Sequence, residues 1–282
     1  MFGVNRQVYY RAKTSEKKRR QKAEKVVDLV QQIRLRMPRI GSRKLYHLLY
    51  NDFREISIGR DKLFAIMRAN HMSIVPKRQY HITTDSHHRF RKHKNLIEDI
   101  TVTRPEQVWV SDITYIGTRK NPMYLALVTD AYSKKIMGYD VSSSLDTSGA
   151  LRAIKTAVKQ RVYKKALIHH SDRGLQYCSY DYQDALSDKK LKTSMTEKYD
   201  PYQNAVAERI NGIIKHEFLN GINVKDIELM KKIVNQSIQI YNEERPHLSC
   251  YFYTPNQMHK QSKIKIKTYK MKNSTKKILS AI

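Results

Sequence analysis

Trp109-Val110-Ser111-Asp112-Ile113-Thr114-Tyr115-Ile116 is a run of aromatic, β-branched and aliphatic residues with one carboxylate at its centre. Its composition predicts a buried strand over 108–116. A carboxylate in such a strand loses its hydration and is costly unless something neutralises it. A second run, Ala166-Leu167-Ile168-His169-His170-Ser171, predicts a strand over 166–171 that ends on Asp172 and is followed by Arg173-Gly174. Strand carboxyl ends are where α/β sheets place chemistry. A third acid, Glu208, lies in Asn204-Ala205-Val206-Ala207-Glu208-Arg209-Ile210-Asn211-Gly212-Ile213-Ile214-Lys215, which has helical periodicity. Two strand acids plus a helical Glu make an oxygen donor set suited to hard cations, Mg²⁺ or Mn²⁺. Two such ions would clamp the attacking and leaving oxygens of an in-line phosphoryl displacement.

Around these acids the pattern predicts further strands at 123–132 and 135–143 and a helix over 147–162. That helix has Asp146 or Ser148 near its cap and Leu151, Ile154 and Val158 inward. A helix at 179–189 and a short strand at 192–198 lead to the Glu208 helix. The order implies an α/β mixed sheet with helices on both faces. On the Glu208 helix, Val206, Ile210, Ile213, Ile214 and Phe218 turn to the sheet, while Glu208, Asn211, Gly212 and Lys215 share a separate face. A last helix at 226–242 aligns Ile227, Met230, Val234, Ile238 and Tyr241.

The formal net charge is +28 over 282 residues. Residues 1–105 hold 25 basic and 9 acidic side chains, and the tail from Lys260 to Ile282 holds eight lysines and no acid. Such an excess concentrates polyanions, and nucleic acid is the partner it favours. Cys178 and Cys250 lie too far apart for zinc or redox motifs and read as reduced thiols. His81, His87, His88 and His93 cluster without cysteine partners, which disfavours a metal site there. His169 and His170 read as packing or supporting residues, since hard cations favour oxygen. With no long apolar run and no secretory leader, the expectation is a cytoplasmic, nucleoid-associated protein without a membrane partner.

Residues 1–23 read as a basic N-terminal arm. Helices are expected at 24–37, from Ser42 (as N-cap) through Leu45, Leu48 and Leu49, and over 59–70. Together 24–74 suggest a small all-α, helix-turn-helix-like DNA-binding domain with Arg43 and Lys44 outward. The same pattern also suits a helical packing module whose charges are merely solvated. Residues 75–105 read as a basic linker.

Three blocks, Trp109-Val110-Ser111-Asp112-Ile113-Thr114-Tyr115, His170-Ser171-Asp172-Arg173-Gly174-Leu175-Gln176-Tyr177 and Asn204-Ala205-Val206-Ala207-Glu208, resemble the catalytic blocks of insertion-sequence DDE transposases with a retroviral-integrase-like core. The resemblance continues at Lys215-His216-Glu217, Tyr241-Asn242-Glu243-Glu244-Arg245-Pro246-His247 and Tyr253-Thr254-Pro255. It implies a ribonuclease-H-like catalytic core over 106–222, a C-terminal helix and basic tail over 223–282, and Asp112, Asp172 and Glu208 as catalytic ligands of two Mg²⁺ or Mn²⁺ ions. It further implies that Lys215 touches transposon-end DNA and that Asn204 is a helix cap or a DNA contact. Arg173, in the turn after Asp172, reads as near phosphate or as a structural arginine paired with a neighbouring acid, and Asn211, on the Glu208 face, reads as near DNA. The family's second-reading-frame (OrfB-type) products join an upstream-frame DNA-binding protein by frameshifting, act as oligomers on DNA, and move by a copy-out, paste-in route. Gln203 departs from the acid usual before the family's Asn. A ribonuclease-H-type nuclease would share the carboxylates but not the N-terminal helices and basic tail. A DNA-binding regulator would share the charge, but nothing would then require three carboxylates.

Overall fold

The computed structural model of the chain describes residues 5–75, 89–118, 120–197 and 204–266. The cluster histidines His81, His87 and His88, the variant Gln203 and the end of the lysine tail lie outside them.

The first helix, α1, is Arg6–Arg36. It crosses the boundary expected near residue 23, because no glycine or proline interrupts the chain between Asn5 and Pro38. Asn5 caps it by accepting from Gln7 N at 3.0 Å. Only Val26 and Val30 are buried, so the first half of the helix stands in solvent. The basic arm is thus helical rather than irregular. Next come α2 (Ser42–Leu48), α3 (Tyr50–Glu55) and α4 (Arg60–Ala69). Ser42 is the first helical residue of α2 and not its cap; Gly41 takes that place without a side-chain bond. The extra helix α3, which the periodicity does not predict, buries Phe53. Val26, Val30, Leu45, Phe53, Leu63 and Met67 pack in a cluster continuous with residues beneath the sheet.

The strands are β1 (Val108–Thr118), β2 (Asn121–Asp130), β3 (Ile136–Ser142), β4 (Ile168–Ser171) and β5 (Lys192–Met195). They form one sheet in the order β3-β2-β1-β4-β5, with β1, β2 and β3 antiparallel and β4 and β5 parallel to β1. On one face Trp109, Ile113, Val128 and Met137 pack against α5 (Thr147–Lys159) and α7 (Tyr180–Asp188), which follows the single turn α6 (Leu175–Cys178). The inward face of α5 is Ala150, Ala153, Ile154 and Ala157, while Leu151 and Val158 sit at its margins. The small residues win because α5 lies almost on β3: a Cβ on Gly138 would meet Ala153 O at 2.2 Å.

On the other face lie α8 (Ala205–Ile213), a π-helical turn (Ile214–Phe218) and α9 (Ile227–Glu243). Asp226 caps α9 by accepting from Glu228 N and Leu229 N. Met230, Val234, Ile238 and Tyr241 are buried as expected, and Ile227 is partly so. The chain closes on α10 (Pro255–His259), started by a reciprocal Thr254–Gln257 capping pair. This segment is locked to the sheet edge by His259, which meets Ser133 Oγ at 2.9 Å and Glu106 Oε1 at 3.4 Å. The result is the α/β, ribonuclease-H-like arrangement expected, preceded by an α-helical region.

Candidate active site

The parallel pairing of β1 with β4 ends at Ser111 opposite Ser171, so Asp112 and Asp172 are the next residues on two neighbouring strands. Side chains alternate across a sheet, and Asp112 shares the face of Val108 and Val110, toward α8. Asn211 of α8 donates to Asp112 Oδ2 at 2.8 Å, and Ile113 N donates to Oδ1 at 2.9 Å. Asp172 stands where β4 leaves the sheet. Its Oδ1 accepts from Gly174 N at 3.0 Å, and a Cβ on Gly174 would sit only 3.0 Å from that oxygen. A side chain at this position would push the Asp172 carboxylate by a few tenths of an ångström.

Glu208 lies in the first turn of α8, where the helix dipole favours an anion. Its side chain is exposed at the rim of the site. The start of α8 is pinned to β1 by Asn204, whose Nδ2 donates to Ser111 O at 3.1 Å. Asn204 stands at the cap position but makes no capping bond.

Burial, then the charge of Asp172 and more weakly that of Glu208, push the Asp112 carboxyl up to about 7, against the pull of its two hydrogen bonds. Glu208 is raised too, by burial and by Asp172. The three acids thus repel one another, a strain that a divalent cation relieves. Among the described residues, however, no three His, Cys, Asp or Glu side chains close on a single point as they stand. The donor chemistry suits a hard cation, and the open corner is Glu208.

The histidines beside Asp172 hold the strands together. His169 Nε2 meets Ser111 Oγ at 2.8 Å and Tyr182 OH at 3.0 Å, and His170 Nδ1 meets Ser194 Oγ at 2.8 Å. Burial, with His170 as neighbour, pushes His169 down to about 3. Both rings thus bridge buried hydroxyls between neighbouring elements. Arg173 is half-buried beside Asp172.

Four residues expected near DNA are placed differently from one another. Asn211 is buried and its amide nitrogen is committed to Asp112. Arg43 is exposed on α2. Lys44 is drawn inward, its Nζ 3.2 Å from Glu217 Oε1. Lys215 does not follow Glu208 on a regular α-helix, because the π-turn widens the coil just before it. It is half-buried with its ammonium 5.6 Å from the Tyr115 ring centre, and burial lowers its pKa.

Glu217, which no local sequence pattern singles out, is a junction. Arg245 Nε and Nη2 each donate to it at 2.8 Å, and its backbone oxygen accepts from Arg39 N at 3.1 Å. Burial pulls the Glu217 carboxyl up, but Arg245 and Lys44 outweigh it and hold it below the usual range. The helical region, the end of the Glu208 segment and the Arg245 loop meet on this one carboxylate. The sequence carries a signal for it in the two motif blocks Lys215-His216-Glu217 and Tyr241–His247, but not in their pairing.

Two family models described as Integrase core domain match residues 102–201 and 189–255. The chain is 33% identical over 252 residues to the Insertion element IS600 uncharacterized 31 kDa protein of Shigella sonnei, spanning 88% of this chain and 92% of that protein. It is 36% identical over 166 residues to Transposase InsF for insertion sequence IS3A of Escherichia coli (strain K12), spanning 58% of each. Among solved structures, the simian T-cell lymphotropic virus intasome in complex with PP2A regulatory subunit B56 gamma aligns at a TM-score of 0.50 with 16% identity. That alignment covers 82% of this chain and 78% of the other, a likeness of fold. Neither the nuclease nor the regulator reading is favoured by these relatives. The chain belongs to the insertion-sequence DDE transposases built on an integrase core.

Proposed function

We propose that Asp112, Asp172 and Glu208 are the catalytic carboxylates of a metal-dependent DNA strand cleavage and strand transfer reaction at transposon ends. The observation that carries this is the placement of Asp112, within β1, beside Asp172, the residue just past the end of the parallel strand β4, with Glu208 electrostatically coupled to both. Asp112 and Asp172 would hold Mg²⁺ or Mn²⁺, and Glu208 completes the set by turning its exposed side chain inward. Two bound ions would supply Lewis acidity at the attacking and leaving oxygens of the phosphodiester. Within the chain, Asn211 orients Asp112, Gly174 lets Asp172 approach its own turn, and Asn204 fixes where α8 begins. No covalent link between protein and DNA is required.

The partners that fit are duplex transposon ends and target DNA, captured by the positive charge of the helical region and tail. Arg43 supports this reading by its exposure, Lys215 by its place on the segment that follows Glu208, and Arg173 by its place beside Asp172. Assembly as an oligomer on DNA, and fusion to an upstream-frame DNA-binding protein, complete the reading. The fitting division is a helical DNA-binding part over 24–74, a catalytic core over 106–222 and a C-terminal helix with its tail over 223–282. Among the described residues, no helix is long and apolar enough to cross a membrane.

The test is strand transfer on end-sequence DNA in Mg²⁺. Asp112→Asn, Asp172→Asn and Glu208→Gln should each abolish cleavage and joining while leaving DNA binding largely intact. A variant with near-normal activity removes that residue from the set.

A further inference from the structure

The cleft between Asp112 and Asp172 is rich in acceptors and poor in donors. Its wall includes Ile113, Leu145, Gln176 and Tyr177. Most of the polar donors around it are already committed. Gln176 Nε2 donates to Leu145 O at 2.8 Å, Gly174 N to Asp172, and Asn211 Nδ2 to Asp112. The exception is Tyr177. It is 3% exposed, yet its hydroxyl has no hydrogen-bond partner among the described residues. Buried hydroxyls are seldom left this way.

The ring of Tyr177 is not loose. It is held edge-on to Tyr182, with centroids 5.3 Å apart, and tilted against His169 at 6.3 Å. The single turn α6 begins at Leu175, three residues after Asp172, and Tyr177 within it lines the cleft. Asn204 Oδ1 and Asn211 Oδ1 are also buried without partners, but the amide nitrogens of those residues are engaged. Tyr177 has only the one polar side-chain atom, and nothing among the described residues uses it. Burial, then Tyr182, Asp112 and Asp172, raise the phenol well above its ordinary pKa. The group therefore keeps its proton and remains a donor.

We propose that the Tyr177 hydroxyl donates a hydrogen bond to the oxygen, of water or of a DNA phosphate, that is seated between Asp112 and Asp172 in the working site. Such a donor would fix the direction of that oxygen's lone pairs relative to the two carboxylates. The proposal rests on the reading of Asp112 and Asp172 as the reacting centre.

Tyr177→Phe in the full chain separates this role from a packing role, because the ring contacts survive and only the unpartnered hydroxyl is removed. In EDTA the variant's thermal midpoint should equal or exceed that of the wild type. Joining of end-sequence DNA in Mn²⁺ should fall roughly 100- to 1,000-fold, in line with the loss of one positioned donor. If the oxygen is water, the Mn²⁺-induced rise in midpoint should shrink without DNA present. If it belongs to a phosphate, that rise should persist and the loss should appear only in assays with DNA. Joining within twofold of wild type, or an EDTA midpoint lowered by several degrees, overturns the proposal. A wild-type chain showing no Mn²⁺-induced rise, or an active Asp112→Asn, would instead overturn the reading of the site beneath it.

Discussion

Arg245→Met removes the cation at the junction where the helical region meets the Glu208 segment. The Arg245 side chain is 2% exposed and that of Glu217 is 19% exposed. The substitution deletes both 2.8 Å bonds to Glu217, the 2.9 Å contact with His247 Nε2 and the stacking over Tyr241. Charge-assisted hydrogen bonds contribute about 1.5–3 kcal/mol each, and stranding one member of a buried pair costs about 3–5 kcal/mol. Lys44 remains 3.2 Å from Glu217 and offsets part of this, so the expected loss is about 3 kcal/mol. Methionine keeps most of the volume, which limits any cavity contribution. Urea unfolding followed by fluorescence of Trp109, the chain's single tryptophan and fully buried, reads the change directly. Adding Glu217→Gln should restore all but about 1.5 kcal/mol, so the double variant should be more stable than Arg245→Met alone. A single-variant loss below about 1 kcal/mol, or a double variant as unstable as the sum of the singles, would refute the junction as described.

Three further outcomes are expected. Without metal, Asp112 titrates at about 7 in the fold against 3.8 for a free carboxyl, so it favours the fold at low pH and costs stability as pH rises from about 4 to 7. Asp112→Asn should therefore be more stable than wild type by about 4 kcal/mol at pH 8 in EDTA, the gap closing toward pH 4; parallel pH curves would contradict this. Lys215→Ala should weaken end-sequence DNA more than random duplex, whereas Lys189→Ala, a change at the exposed C-cap of α7, should weaken both alike. Deleting residues 1–23, which include the solvent-exposed half of α1, should flatten the fall of log affinity with log salt by about 0.9 for each phosphate that those residues neutralise. An unchanged slope would assign the phosphate binding to the rest of the chain.

The strands were legible in the sequence because β-branched and aromatic runs have few other uses, and β1 to β5 lie within a few residues of their expected places. Asp112 and Asp172 stood out for the same reason: an acid in or at the end of an apolar strand needs an explanation. Local pattern said less wherever a long-range contact decides the outcome. Leu151 and Val158 looked like the buried face of α5 beside Ile154, but Gly138 on β3 lets that helix come so close that alanines take the positions against it. The π-turn at Ile214–Phe218 has no compositional marker, since its residues would equally continue an α-helix. Asn211 and Lys44 read as surface contacts because their spacing is helical and their groups polar. Only the packing of α8 on β1, and of α2 on the Glu217 turn, committed them to Asp112 and Glu217. The sequence alone therefore singled out the candidate acids and determined the order of strands and helices, since both follow from local side-chain chemistry. The tertiary structure alone decided which polar groups turn inward, because a hydrogen bond across 99 or 173 residues is set by strand register and helix docking and leaves no local trace.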